Sequence, residues 1–163
     1  MRILITTDGS DFSLAAVEKC CEMVVKPEDT AIKIVSVYEL VLPLDVFPAP
    51  TEFSEKLENS ARGQAEEFAE QAAALVRERF PNSNIDLTIQ VSMGTPEEIL
   101  LETAREWNAD LIVVGSHGRG FWGRMLLGSV TDALVHHAPC SVLVVRKTKL
   151  NLAIPSPKRC LKM

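Results

Sequence analysis

Gly115-Ser116-His117-Gly118, nine further residues and then Gly128-Ser129-Val130 follow directly on the apolar run Leu111-Ile112-Val113-Val114. Residues of these types at this spacing suit the binding of an anion. A buried strand that stops at a glycine lets backbone N–H groups approach a phosphate closely, and a glycine opening a helix adds unpaired amides and the positive end of the helix dipole. A second cluster, Asp8-Gly9-Ser10, stands at the end of the β-branched run Arg2 to Thr7. The two clusters can act together only if the fold brings their strand ends side by side.

The pattern of apolar residues supplies such a fold. Arg2 to Thr7, Ala31 to Val37, Asp86 to Ser92, Asp110 to Val114 and Ser141 to Arg146 read as strands. Between them the three- and four-residue steps of helices recur: Leu14, Val17, Cys21 and Val24, then Ala65, Phe68, Ala69, Ala72, Leu75 and Val76 within about Ser54 to Phe80. Gly94-Thr95-Pro96-Glu97-Glu98 opens the next helix, with Thr95 as N-cap, Pro96 at the first helical position and Glu98 closing a capping box. A last helix is expected from about Ser129 to His137. The alternation β-α-β-α-β-α-β-α-β predicts an α/β fold, an open parallel five-stranded sheet with helices on both faces, Rossmann-like in its winding. Ligands of such sheets bind where strand order reverses, at the carboxyl ends, and the ends at Asp8, Val37 and Gly115 are the ones expected to meet there. Leu40 to Thr51, with Pro43, Pro48 and Pro50, reads as a long loop.

Composition narrows the classes. A chain of 163 residues suggests one domain and can bury about 70% of its unfolded surface without staples. The formal net charge of −5 argues against a nucleic-acid surface, and no apolar run approaches membrane-spanning length. Asp8 and Asp11 interrupt the N-terminal apolar stretch before a signal peptide can form, which leaves the cytoplasm as the expected compartment. Cys20, Cys21, Cys140 and Cys160 lack metal-ligand or disulfide spacing and read as small apolar residues. His136 and His137, near the end of the last helix, read as structural, where a cation favours the dipole. Residues 148–163 form a basic segment without an acid, expected to be a disordered tail beyond a domain of 1–147.

Gly118-Arg-Gly120-Phe-Trp-Gly123 matches the dinucleotide fingerprint G-x-G-x-x-G but follows the fourth strand rather than the first, with no acid at the ribose position. A P-loop is absent. The wider spacing, Gly115-x2-Gly118-x9-Gly128-Ser129, resembles the ATP-binding branch of the universal stress protein family (UspA-like). So do Asp8-Gly9-Ser10, the strand ending Ser36-Val37, the Gly94-Thr95-Pro96 helix start and the ending Pro139-Cys-Ser-Val-Leu-Val-Val. The resemblance covers about residues 2 to 146 and implies an adenine nucleotide alpha hydrolase-like fold.

Carried over to this chain, the resemblance implies Thr7 and Asp8 near the nucleotide and the Val37 backbone against adenine. Gly115, His117, Gly118, Gly128, Ser129 and Val130 would wrap the ribose and phosphates, with Arg119 and Arg124 supplying charge to the outer phosphates. Asp8 would reach a Mg²⁺ through water. The implied ligand is ATP or another adenine nucleotide. The expected role is a stress-response sensor or switch, at most a very slow ATPase resting on Asp8 and His117, since beyond His117 and the two arginines no base or water-positioning group is in view. A homodimer through the apolar edge strand 141–146 is also implied. The alternative is a non-catalytic interaction module, with an unidentified protein partner, that uses the 40–51 loop, Phe121-Trp122 and the basic tail. An ATP-pyrophosphatase reading is weaker, because Asp8-Gly9-Ser10 is not an S-G-G-x-D-S loop.

Overall fold

The structure, a computed structural model, describes residues 1–24, 26–40, 51–119 and 127–147. Most of the proline-rich loop, Phe121-Trp122, Arg124 and the basic tail lie outside the described residues. Five strands, β1 (Arg2–Thr6), β2 (Ala31–Tyr38), β3 (Asp86–Met93), β4 (Leu111–Gly115) and β5 (Ser141–Val145), alternate with four helices. The helices are α1 (Asp11–Met23), α2 (Thr51–Arg79), α3 (Pro96–Glu106) and α4 (Ser129–His137), and a 3-10 turn at Pro27–Asp29 precedes β2. All strand pairs are parallel, in the order β3-β2-β1-β4-β5. The chain therefore winds outward from β1 in one direction, returns, and winds outward in the other, which opens a crevice between the carboxyl ends of β1 and β4.

Alternation along the central strands divides the core in two. Ile3, Ile5, Ile32, Ile34 and Val113 face α1 and α2, while Leu4, Val35, Ile112 and Val114 face α3 and α4. Each set is buried because helices cover both faces, which is why β1, β2 and β4 read as unbroken apolar runs. On α2, Ala65, Ala69, Ala72, Ala73 and Val76 are the buried stripe. Four of these five are alanines, which lets so long a helix lie close to the sheet. The helix begins at Thr51, about one turn earlier than its apolar pattern suggests.

Two local expectations are revised. Thr95 does sit at the N-cap of α3 with Pro96 following, but its side chain makes no capping hydrogen bond, so the box with Glu98 does not close. On α1 the expected Val17, Cys21 and Val24 are buried, but Leu14 is only half-buried and Ser13, Ala16 and Cys20 join the buried face, with Ser13 turned inward to meet Thr7. Among the described residues no helix is long and apolar enough to cross a membrane.

Candidate functional site at the switch point

A cleft of about 370 Å³ opens at the carboxyl edge of the sheet where β1 and β4 diverge. Thr7, Asp8 and Val37 form one side; Gly115, His117 and Gly118 follow β4; Gly128, Ser129 and Val130 bring in the start of α4. The strand ends expected to meet do meet. Thr6, Ser13, Pro96, Val114, Leu127 and Thr131 also line the cleft and were not among the binding residues expected from sequence. Of these, Pro96 and Leu127 adjoin turn signals that the sequence displays, whereas Ser13 enters only because it turns inward on α1.

The loop after β1 is held by its own polar side chains. Ser10 caps α1, its hydroxyl accepting from the Ser13 amide at 3.2 Å. Asp8 Oδ1 accepts from the Ser10 amide (3.1 Å) and the Ser10 hydroxyl (2.6 Å), while Oδ2 accepts from the backbone amide of Arg119 (2.8 Å). Asp8 thus stitches the two loops across 111 positions of sequence. Thr7 Oγ1 lies 3.2 Å from Ser13 Oγ beneath it. Gly9 has φ +72°, and a Cβ there would fall 2.2 Å from the Phe68 ring, so both conformation and packing require glycine.

Val37 presents backbone rather than side-chain chemistry. Neighbouring residues of a central parallel strand turn their N–H and C=O to opposite sides. Thr7 N–H donates to the Val35 carbonyl and Gly94 N–H to the Tyr38 carbonyl. By that alternation Val37 turns its donor and acceptor toward β1, which has ended at Thr6, leaving the pair directed into the cleft.

On the other wall, Thr131 Oγ1 donates to the Gly115 carbonyl (2.8 Å) and the Gly128 amide to the Ser116 carbonyl (3.0 Å), locking the start of α4 against the end of β4. Gly128 is the N-cap of α4 and offers no side chain to the first turn. The amides of Ser129, Val130 and Thr131, the first three of the helix, have no intrahelical acceptor. They form a positive end beside the cleft.

The glycines of the motif serve different purposes. At Gly115 a Cβ would stand 2.7 Å from the Phe12 carbonyl carbon and oxygen, so this glycine admits the α1 backbone rather than a ligand. At Gly118 it would stand 2.7 Å from Asp8 Oδ2. Gly128 differs: its φ of −72° suits any residue, and its nearest neighbour would be His117 Cα at 3.4 Å. Only there does the protein itself leave room.

His117 Nδ1 lies 3.0 Å from Ser116 Oγ and its ring is 5.3 Å from that of Phe12. Arg119, expected at outer phosphates, does not line the cleft; its guanidinium donates to Gln64 Oε1 (3.1 Å) and lies 4.8 Å from the centre of the Phe68 ring. Among the described residues no three His, Cys, Asp or Glu side chains gather to hold a metal ion.

The winding of the sheet and the cleft at its switch point define a Rossmann-like α/β protein, a five-stranded parallel sheet with helices on both faces. The universal stress protein family model matches residues 1–146, and the chain belongs to that family. A universal stress protein of Staphylococcus aureus (strain USA300) is 34% identical over 152 residues, covering 91% of this chain and 85% of its own. Among solved structures, a universal stress protein in complex with cAMP shares 25% identity at a TM-score of 0.64, covering 91% of this chain and 98% of that one. A family member from Arabidopsis thaliana with AMP bound shares 18% identity at a TM-score of 0.66, covering 91% and 93%.

Proposed function

We propose that the protein is an ATP-binding, more broadly adenine-nucleotide-binding, sensor of the stress response that acts in the cytoplasm by changing conformation or partners when occupied. The observation that carries this reading is the uncapped start of α4: three helix-end amides beside a cleft at the switch point, behind a glycine that the backbone does not require. Val37 supports the adenine assignment. Its carbonyl can accept from an exocyclic amine and its N–H can donate to a ring nitrogen, the two polar functions of adenine's edge. Thr7 and Asp8 complete the wall on which the ribose would rest, with Gly115, His117 and Gly118 beside it.

A Mg²⁺ would come with the phosphates rather than to a protein site, because Asp8 is the sole carboxylate of the described lining and two of its acceptor positions are taken by Ser10. Asp8 would hold it through water, and the ion would neutralise phosphate charge. Asp8 and His117 are the only titratable side chains among the described lining residues, so the reading is of binding with at most very slow hydrolysis. Residues 1–147 are taken as the domain and 148–163 as a basic appendage. β5 closes one edge of the sheet with Val142, Leu143, Val144 and Val145 only half-buried, which supports a homodimer on that edge.

The test is to release bound nucleotide from the purified, denatured protein for mass spectrometry, and to titrate the native protein with ATP, ADP and AMP with and without Mg²⁺. Saturable binding and a rise in melting temperature are expected. No released nucleotide and no binding at millimolar concentration would defeat the reading.

A further inference from the structure

Among its described residues the cleft contains one carboxylate, Asp8, and no lysine or arginine. The cation next to it in sequence is parked elsewhere. Arg119 is anchored at the rim by its amide, which donates to Asp8 Oδ2, and it follows Gly118, which lines the cleft. Its head reaches away to α2, donating to Gln64 Oε1 at 3.1 Å and lying 4.8 Å from the Phe68 ring centre. Phe68 in turn covers Gly9, packing the same helix onto the loop that carries Asp8. One arginine therefore ties the loop after β4 to the middle of α2 while its backbone stays one residue from the proposed phosphate end.

We propose that Arg119 is a two-position residue that reads the number of phosphates on the bound nucleotide, resting on Gln64 and Phe68 with a monophosphate and moving onto the outer phosphates of a di- or triphosphate. This rests on the reading of the cleft as an adenine-nucleotide site. A first phosphate is served by the α4 amides, which are fixed by the Thr131 and Gly128 hydrogen bonds and require no movement. Each further phosphate brings negative charge toward Asp8 with no lysine or arginine among the described lining residues to meet it. The hold on Arg119 is weak by comparison: a neutral amide oxygen on an exposed side chain and the face of a half-buried ring. A guanidinium–phosphate pair is charge-assisted, bidentate and roughly twice as strong as a neutral hydrogen bond. Departure of the head unclasps Gln64 and Phe68, so phosphate number becomes a change at the surface of α2.

The experiment compares AMP with ATP on the full chain, reading dissociation constants by calorimetry and amide hydrogen exchange across residues 60–70. ATP is expected to raise exchange there and AMP to leave it unchanged. Gln64→Ala and Phe68→Leu, each removing one hold, should tighten ATP by about two- to five-fold, the worth of one exposed cation–π contact, with AMP affinity unmoved. Arg119→Gln should abolish the difference in exchange between the two nucleotides. Gln64 is exposed, so its variant reports even if Phe68→Leu loosens the fold. Equal exchange with both nucleotides, or no gain in ATP affinity for Gln64→Ala, overturns the two-position arginine. A wild-type chain that binds neither nucleotide overturns the site reading instead.

Discussion

Replacing Gly128 with aspartate should separate stability from ligand binding in opposite directions. The backbone at Gly128, φ −72° and ψ 156°, is the extended conformation of an ordinary N-cap residue, and a Cβ there would make no contact closer than 3.4 Å. Aspartate is among the best N-caps, since its carboxylate accepts from the second or third amide of the helix; over glycine this is a gain of a few tenths of a kcal/mol. Its charge at the positive helix end adds about 0.3–1 kcal/mol. A total near 0.5–1 kcal/mol corresponds to a melting temperature raised by about 1–4 °C in a domain of this size. The same carboxylate occupies the amides that a phosphate would use and repels it. Two unit charges about 4 Å apart interact by about 4 kcal/mol at an effective dielectric of 20. Solvent screening at the cleft mouth reduces this to roughly 2 kcal/mol, still about a 30-fold loss of affinity. Calorimetric titration with AMP and a thermal melt of the same preparation read both effects, and Gly128→Ala separates bulk from charge. Binding within about threefold of wild type would refute the assignment of the α4 amides to the anion. A melting temperature that fell by several degrees would show that the glycine serves the fold.

Gly115→Ala should do the reverse, since its Cβ would meet Phe12 backbone atoms at 2.7 Å; a loss of about 1–3 kcal/mol by denaturant unfolding is expected, and an unchanged midpoint would contradict the packing argument. Ser36 is buried and its hydroxyl has no hydrogen-bond partner among the described residues, so Ser36→Ala should be neutral or stabilise by up to about 1 kcal/mol, and a clear destabilisation would mean that the hydroxyl is satisfied in solution. Burial pushes the Cys20 thiol up to about 12, with the neighbouring Cys21 adding to the shift. Above an unfolded value of about 8.5 the unfolded chain releases this proton and the folded chain keeps it, so the stability contribution is whole at neutral pH and drains away as pH rises from about 9 toward 12. Cys20→Ala should flatten that decline in urea melts run between about pH 8 and 11, and equal slopes in the two proteins would count against a buried neutral thiol. For the edge strand, light scattering at micromolar concentration should give the mass of two chains, and a monomer mass would defeat the proposed pairing through β5.

The winding was legible because each link is local: apolar runs of strand length, separated by helical periodicity, admit only a parallel sheet covered on both faces. That Asp8, Val37 and Gly115 share one edge then follows from topology alone, without any contact being known. What could not be read depends on rotation and reach. Ser13 enters the cleft because α1 turns Ser13 further inward than Leu14, a matter of a fraction of a helical turn. Arg119 leaves the cleft because Phe68 and Gln64 stand 51 and 55 positions away in sequence on a helix whose angle no periodicity reveals. The Thr95–Glu98 signature was correct about where α3 begins and not about how its first amides are satisfied, since a helix start can form without the side-chain bond that its sequence permits.

The glycines show the same limit in its sharpest form. A motif written as Gly-x2-Gly-x9-Gly-Ser treats its glycines as equivalent, and from sequence each is an opening for phosphate. In three dimensions the first yields its space to the backbone of α1, the second to the carboxylate of Asp8, and only at the third would a Cβ meet its neighbours at ordinary contact distance. The first two therefore contribute to binding indirectly, by letting α1 and Asp8 close in behind the cleft and fix its walls. If so, alanine at Gly115 or Gly118 should damage binding only as far as it damages or displaces those walls. A change at Gly128 should act on the ligand with the walls intact, and crystal structures of the variants would show that difference directly.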